Sequence, residues 1–227
     1  MGFKCLHSGK CCTLKYVQIN LSYGDIKRIT EALNKSIKEL FDEKIIGFNP
    51  FFDLEKNSFD IEIGLNKPCL LHKELRCSIH KARPLNCRIF PYYLIASFPD
   101  LTRVFDESYE CVLKAKVSDA EKEKYKAYAK AIGDILLKES AKTEEIFKKI
   151  GLNKSYLLMD HFVELNQFFM KRKPETDQEA ENLRIEFFKE LISKEDFSLI
   201  IDKLIKEIAD LSFVSVKELD EIEKILD

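Results

Sequence analysis

The sequence has no tryptophan, only seven glycines in 227 residues, and no cysteine in the 116 residues after Cys111. It also lacks any apolar run approaching the roughly 18–20 residues that a helix needs to cross a bilayer, so no membrane span is expected. The opening Met1-Gly2-Phe3-Lys4-Cys5 has neither a long apolar core nor a small-residue cleavage site, so no signal peptide is expected. Leu6 stands where myristoylation of Gly2 would require a hydroxyl. The expected location is therefore the cytoplasm. An excess of charge is missing too. Lys and Arg number 37 against 39 Asp and Glu, and a net charge of −2 gives no whole-chain argument for nucleic acid. With so few glycines, no glycine-rich loop follows a strand to cradle a phosphate or nucleotide.

What is present is a hydrophobic content of 45%, enough for a folded core. The pattern divides the chain near residue 115. Residues 1–115 read as an irregular, cysteine-bearing, metal-binding domain with five of the six prolines, and residues 116–227 as a helical domain. The expected fold class is α+β. Capping boxes, in which a hydroxyl and a carboxylate satisfy the free amides of a helix start, occur at Ser22/Asp25, Ser36/Glu39, Ser118/Glu121, Thr176/Glu179, Ser193/Asp196 and Ser215/Glu218. Phe59-Asp60-Ile61-Glu62-Ile63 alternates as a half-buried strand does, and Thr102 to Phe105 is a weaker strand candidate. The second part predicts four to six helices, with Tyr125, Tyr128, Ile132, Ile135 and Leu136 on one face of the first. An apolar stretch runs from Tyr156 to Met170, with Pro174 at or just beyond its end. These stripes read as core packing, and His161 as a hydrogen-bonded or partly exposed side chain.

The seven cysteines fall in three groups: Cys5, Cys11 and Cys12; Cys69, Cys77 and Cys87; and Cys111. In a reducing compartment, clustered cysteines serve metal or redox chemistry more often than disulfides, and an odd count argues against full pairing. Thiolates hold zinc as a tetrahedron and also bind iron–sulfur clusters. The spacing is neither that of a zinc finger nor that of a ferredoxin. Neighbouring Cys11 and Cys12 can serve one ion only if the backbone turns sharply. Between Lys67 and Pro91, six basic residues (Lys67, Lys73, Arg76, Lys81, Arg83, Arg88) face one acid, Glu74. Such cations lower thiol pKa values and offset the charge of a thiolate-bound centre, and Arg83 and Arg88, closest to Cys87 in sequence, are the candidates to tune it or to meet an anionic ligand.

The run Arg76-Cys77-Ser78-Ile79-His80, followed by Arg83-Pro84-Leu85-Asn86-Cys87-Arg88-Ile89-Phe90-Pro91, resembles the signature of the YkgJ-type cysteine-cluster family. That family is also known by its CxxCxxCC motif and is described as a zinc- or iron-chelating domain. Pro68-Cys69-Leu70-Leu71 and the approach from Phe3 to Cys12 fit as well, so the resemblance spans about residues 3 to 111. Two positions depart from the motif. Ser8 stands where a cysteine is expected, and His80 where tyrosine is usual. The resemblance then implies that His80, His7 or the Ser8 oxygen completes a site, or that one coordination position stays open. Some larger relatives with a similar cysteine cluster are associated with protein lysine methylation, but this sequence lacks the glycine-rich loop that would cradle a cofactor for it.

The reading is a metal-binding protein with Cys5, Cys11, Cys12, Cys69, Cys77, Cys87 and Cys111, together with His80, as the ligand pool. An iron–sulfur cluster, 4Fe-4S by preference because four cysteines suffice for one, would give it a redox or cluster-dependent enzymatic role. The alternative is structural zinc with no catalysis, the helical part binding a protein partner. Metal storage or delivery ranks third.

Overall fold

The computed structural model describes residues 3, 9–13, 18–53, 55–74, 76–98, 101, 110–152 and 154–227, with the backbone alone at 110, 111 and 178. The first element is a single turn, α1 (Lys10–Thr13). Helix α2 (Tyr23–Leu33) starts at Ser22, whose hydroxyl accepts the Asp25 amide while the Asp25 carboxylate accepts the Ser22 amide. Asn34, in the left-handed region at φ 50°, ends it. Helix α3 (Ile37–Asp42) repeats the device with Ser36 and Glu39.

Strands β1 (Ile46–Asp53) and β2 (Ser58–Leu65) then pair antiparallel over all eight residues. β2 contains the alternating run read from the sequence. β1 was not foreseen, because Gly47 and Pro50 interrupt it. Pro50 is tolerated because β1 lies at the sheet edge, where a missing N–H leaves no partner unsatisfied. What secures β1 is aromatic packing: Phe48 stacks between Phe41 and Phe197 at 5.0 and 4.1 Å.

Next comes the two-residue hairpin of β3 (His72–Lys73) and β4 (Arg76–Cys77). A 3-10 turn at His80–Ala82 leads into α4 (Leu85–Ile89) and α5 (Tyr92–Ser97), and α6 (Glu110–Leu113) follows. The candidate strand from Thr102 to Phe105 lies outside the described residues.

The second part opens with the long helix α7 (Asp119–Ile150), capped by Ser118 and Glu121 and closed by Gly151 at φ 83°. Strand β5 (Ser155–Leu157) follows, then α8 (Phe162–Arg172), α9 (Asp177–Ile192), α10 (Ser198–Ile208) and α11 (Val216–Glu223). The apolar stretch after Tyr156 therefore begins as strand, and its helix ends just before Pro174. Thr176 caps α9, with the Glu179 carboxylate taking the Glu175 amide, and Ser215 with Glu218 forms a full box on α11. Ser193 does not start a helix. It ends α9 in helical conformation and donates to the Glu190 carbonyl. Asp196 starts α10 instead, accepting the amide and hydroxyl of Ser198.

The sheet order is β1-β2-β5, so a strand from after α7 completes a sheet begun before it. The largest core draws Ile26, Ile29, Phe59 and Ile63 together with Ile146, Phe188, Leu204 and Ile208. A smaller core packs Leu85, on the helix that carries Cys87, against Tyr128 and Ile132 of α7 and Leu219 of α11. The sequence parts on either side of residue 115 thus share their hydrophobic interior. No helix among the described residues is long and apolar enough to cross a membrane.

Candidate metal centre

Cys11 and Cys12 sit on α1. Its start is made by Gly9, whose carbonyl accepts the amides of Cys12 and Thr13 at 2.9 Å each. Gly9 has φ 71°, a left-handed conformation that glycine adopts without a Cβ penalty. The turn gives the sharp bend that neighbouring cysteines require, and their sulfurs stand 3.9 Å apart.

The loop after β2 is tied to this turn at two points. The Cys69 amide donates to the Cys12 carbonyl at 2.8 Å, and the Lys67 ammonium donates to the Cys11 carbonyl at 2.7 Å. The Cys69 carbonyl then accepts the His72 amide at 3.1 Å, which leads the chain into β3. In the β3–β4 hairpin His72 pairs with Cys77. Opposite residues of a ladder project from the same face, with Cβ atoms about 4.5–5.5 Å apart.

Cys87 arrives from another direction, on α4. The first free amide of that helix, Leu85, donates to the Asp25 carboxylate at 2.9 Å. Asp25 also accepts from its own helix start and from Arg28 at 2.7 Å, and Arg28 in turn binds Glu139 of α7 at 2.9 Å. Asp25 and Arg28 are wholly buried and Glu139 nearly so. Gly24 is required where it is, because a Cβ there would collide with the Glu139 carboxylate. A buried ion network thus fixes the helix that presents Cys87.

The electrostatics joins the five described cysteines. Cys12 feels the charges of Cys11 and Cys69; Cys77 and Cys87 each feel both as well. Cys11 and Cys69 thus act on the same three thiols. The Cys12 thiol, hydrogen-bonded to the Cys11 sulfur, lowers the Cys11 pKa to about 6 against the opposing effect of burial, and Lys67 adds to the lowering. The same contact, followed by burial, pushes Cys12 up. Burial is also the main cause that raises Cys77 and Cys87; the Ile79 amide and then Arg83 oppose it at Cys77, and Lys67 at Cys87. The pair Cys11–Cys12 is thus disposed to share one proton, and a bound cation would displace what remains.

The structure leaves the predicted ligand set open. Among the described residues, no group of three or more His, Cys, Asp or Glu side chains is placed so that it could hold an ion. Cys5, His7 and Ser8 lie outside the described residues, and Cys111 is placed by its backbone on α6. Cys69 and Cys77 pack partly against the main core. His80 is exposed, and its Nδ1 is 3.2 Å from the Arg83 guanidinium; because arginine can only donate, Nδ1 accepts. Arg83 also reaches Glu223 at 3.0 Å, and the buried Arg88 binds Glu223 at 2.8 Å and the Lys81 carbonyl. Both guanidinium groups therefore engage the end of α11.

Two participants escaped the sequence reading. Lys67 is in the sequence one of six basic residues, and in the fold its charge reaches Cys11, Cys12 and Cys87. His72 is the other, and Cys69-Leu70-Leu71-His72 carries a Cys-x2-His spacing that signals it in the sequence. Its Nε2 is out of contact with solvent and has no hydrogen-bond partner. Soft thiols and an imidazole nitrogen are the donor types that zinc and iron take.

Cysteines drawn from separate stretches of an α+β chain into one neighbourhood are the arrangement of a cysteine-rich, metal-chelating protein. The chain belongs to the CxxCxxCC family, described as "Putative zinc- or iron-chelating domain", whose model matches residues 4–129. The matched span includes every cysteine and runs into α7. No curated protein and no solved structure matches the chain.

Proposed function

We propose that this protein holds an iron–sulfur cluster, 4Fe-4S by preference, on ligands drawn from Cys5, Cys11, Cys12, Cys69, Cys77, Cys87 and Cys111, and that the cluster serves a redox or cluster-dependent enzymatic role. One observation carries the reading: the turn that holds Cys11 and Cys12, their sulfurs 3.9 Å apart, is bonded through the Cys12 carbonyl to the Cys69 amide, and Cys69 is bonded in turn to His72, the hairpin partner of Cys77. A nearly all-thiol donor set suits such a cluster, which needs four ligands. When bound, the cluster would supply one-electron transfer. The chain's own residues would hold it, with Lys67 and Arg83 offsetting thiolate charge and burial restricting water.

A second reading is structural zinc with a helical partner-binding region. Its support is the exposed apolar side chains near and on α8, including Met159, Phe162, Val163 and Met170.

Anaerobic purification with elemental analysis and a visible spectrum separates the two. The proposal expects brown protein with iron and acid-labile sulfide in equal amounts. Colourless protein with stoichiometric zinc would establish the second reading in its place.

A further inference from the structure

His72 carries an observation that the cysteine reading does not use. Its Nε2 is buried without a partner, and an unsatisfied buried polar atom is destabilising unless something binds it. The ring lies against Gly9, so closely that a Cβ added there would fall 2.5 Å from Nε2. The glycine is thus demanded twice, by its positive φ and by the imidazole above it. His72 is also paired with Cys77 across the hairpin, and its amide binds the Cys69 carbonyl. The residue therefore touches three cysteine-bearing segments, two through its backbone and one through its ring, and its open nitrogen lies beside the turn that leads to Cys11 and Cys12.

The sequence offers a reason for it to be there. The family pattern CxxCxxCC runs in this chain as Cys5-x-x-Ser8-x-x-Cys11-Cys12, so the second thiol is missing. The residue next to Ser8 is Gly9, on which His72 rests. A neutral imidazole nitrogen is a good ligand for zinc and for iron, and ligation would satisfy the orphaned atom.

We infer that His72 is a metal ligand of this centre through Nε2, in a chain whose motif lacks the second thiol. The inference rests on the metal-binding reading above, whichever metal is held. It assigns the nitrogen ligand to His72, where the sequence had pointed to His80 or His7.

X-ray absorption at the edge of the bound metal, with metal content per chain, tests it on the full-length protein. The wild type should show the outer-shell scattering of an imidazole. His72→Ala and the more size-conserving His72→Gln should both lose it, with metal affinity falling about tenfold or more, a loss that even the outer hydrogen-bond partners of metal ligands can cause. Adding Ser8→Cys to His72→Ala should restore metal content, with one more sulfur and no imidazole. Circular dichroism checks that each variant is folded. Imidazole scattering and metal content unchanged in both single variants would overturn the assignment of His72 and leave the cysteine centre standing. A wild-type protein that binds neither iron nor zinc would overturn both.

Discussion

Individual side chains here act mainly through what they leave unpaired when removed. Arg28 is wholly buried between Asp25 and Glu139. Replacing it by leucine strands two carboxylates in the core, and breaking a buried pair in this way costs about 3–5 kcal/mol. Urea denaturation of Arg28→Leu at neutral pH should show that loss, and a change below about 1 kcal/mol would mean that the network is relieved by water. Cys87 is reached by the charges of Cys11 and Cys69 and is held on a helix whose start is bonded to Asp25. Under the iron reading, Cys87→Ala should bleach the visible spectrum or sharply reduce bound iron. Undiminished iron in that variant would remove Cys87 from the ligand set.

Among the elements, β2 carries a pH response. Burial, then the charges of Asp60 and Glu144, raises Glu62 to about 7 from an ordinary 4.5. The folded state therefore keeps this proton to higher pH than the unfolded state does. Its contribution is fully present below about 4.5 and is lost as pH rises through about 7. The corresponding loss is at most about 3 kcal/mol at alkaline pH, from 1.36 kcal/mol per pH unit. Glu62→Gln should match wild type in melting temperature near pH 5 and exceed it above pH 8. Equal melting curves at both pH values would show that Glu62 is solvated. Lys56 binds Asp60 at 3.3 Å and Lys148 binds Glu144 at 2.7 Å, so both acids that act on Glu62 have cations of their own. β1 shows at the same scale how tertiary contact overrides local pattern. Its glycine and proline hide it from a periodicity reading, while the aromatic stack through Phe48 holds it in place.

Over the whole molecule, Glu223 near the carboxyl end clasps Arg83 and Arg88 beside the cysteine-bearing helix α4. Removing this carboxylate leaves Arg88, which is buried, with Asp220 at 3.7 Å and the Lys81 carbonyl. Glu223→Ala should cost about 2 kcal/mol, the scale of a charged hydrogen bond, and should speed metal loss to a chelator. Destabilisation with an unchanged rate of metal loss would show that the clasp is independent of the centre. The sheet makes the same connection, since β5 comes from beyond α7 and pairs with β2.

The sequence by itself determined the helix starts at Ser22, Ser36, Ser118, Thr176 and Ser215, because a capping interaction is complete within four residues. It also determined the alternating strand, the α+β class and the family, because the Arg-Pro-x-x-Cys-Arg-x-Phe-Pro run is contiguous. Ser193 misled because a capping pattern is necessary to a box without being sufficient; its backbone was already claimed by α9. Only the tertiary structure decided that Lys67 acts on three of the thiols, that Arg83 and Arg88 turn to Glu223, and that His72 rests on Gly9 with a free nitrogen. Those facts depend on pairs 20 residues or more apart in the chain. Spacing along a sequence does not encode such distances until the core has closed.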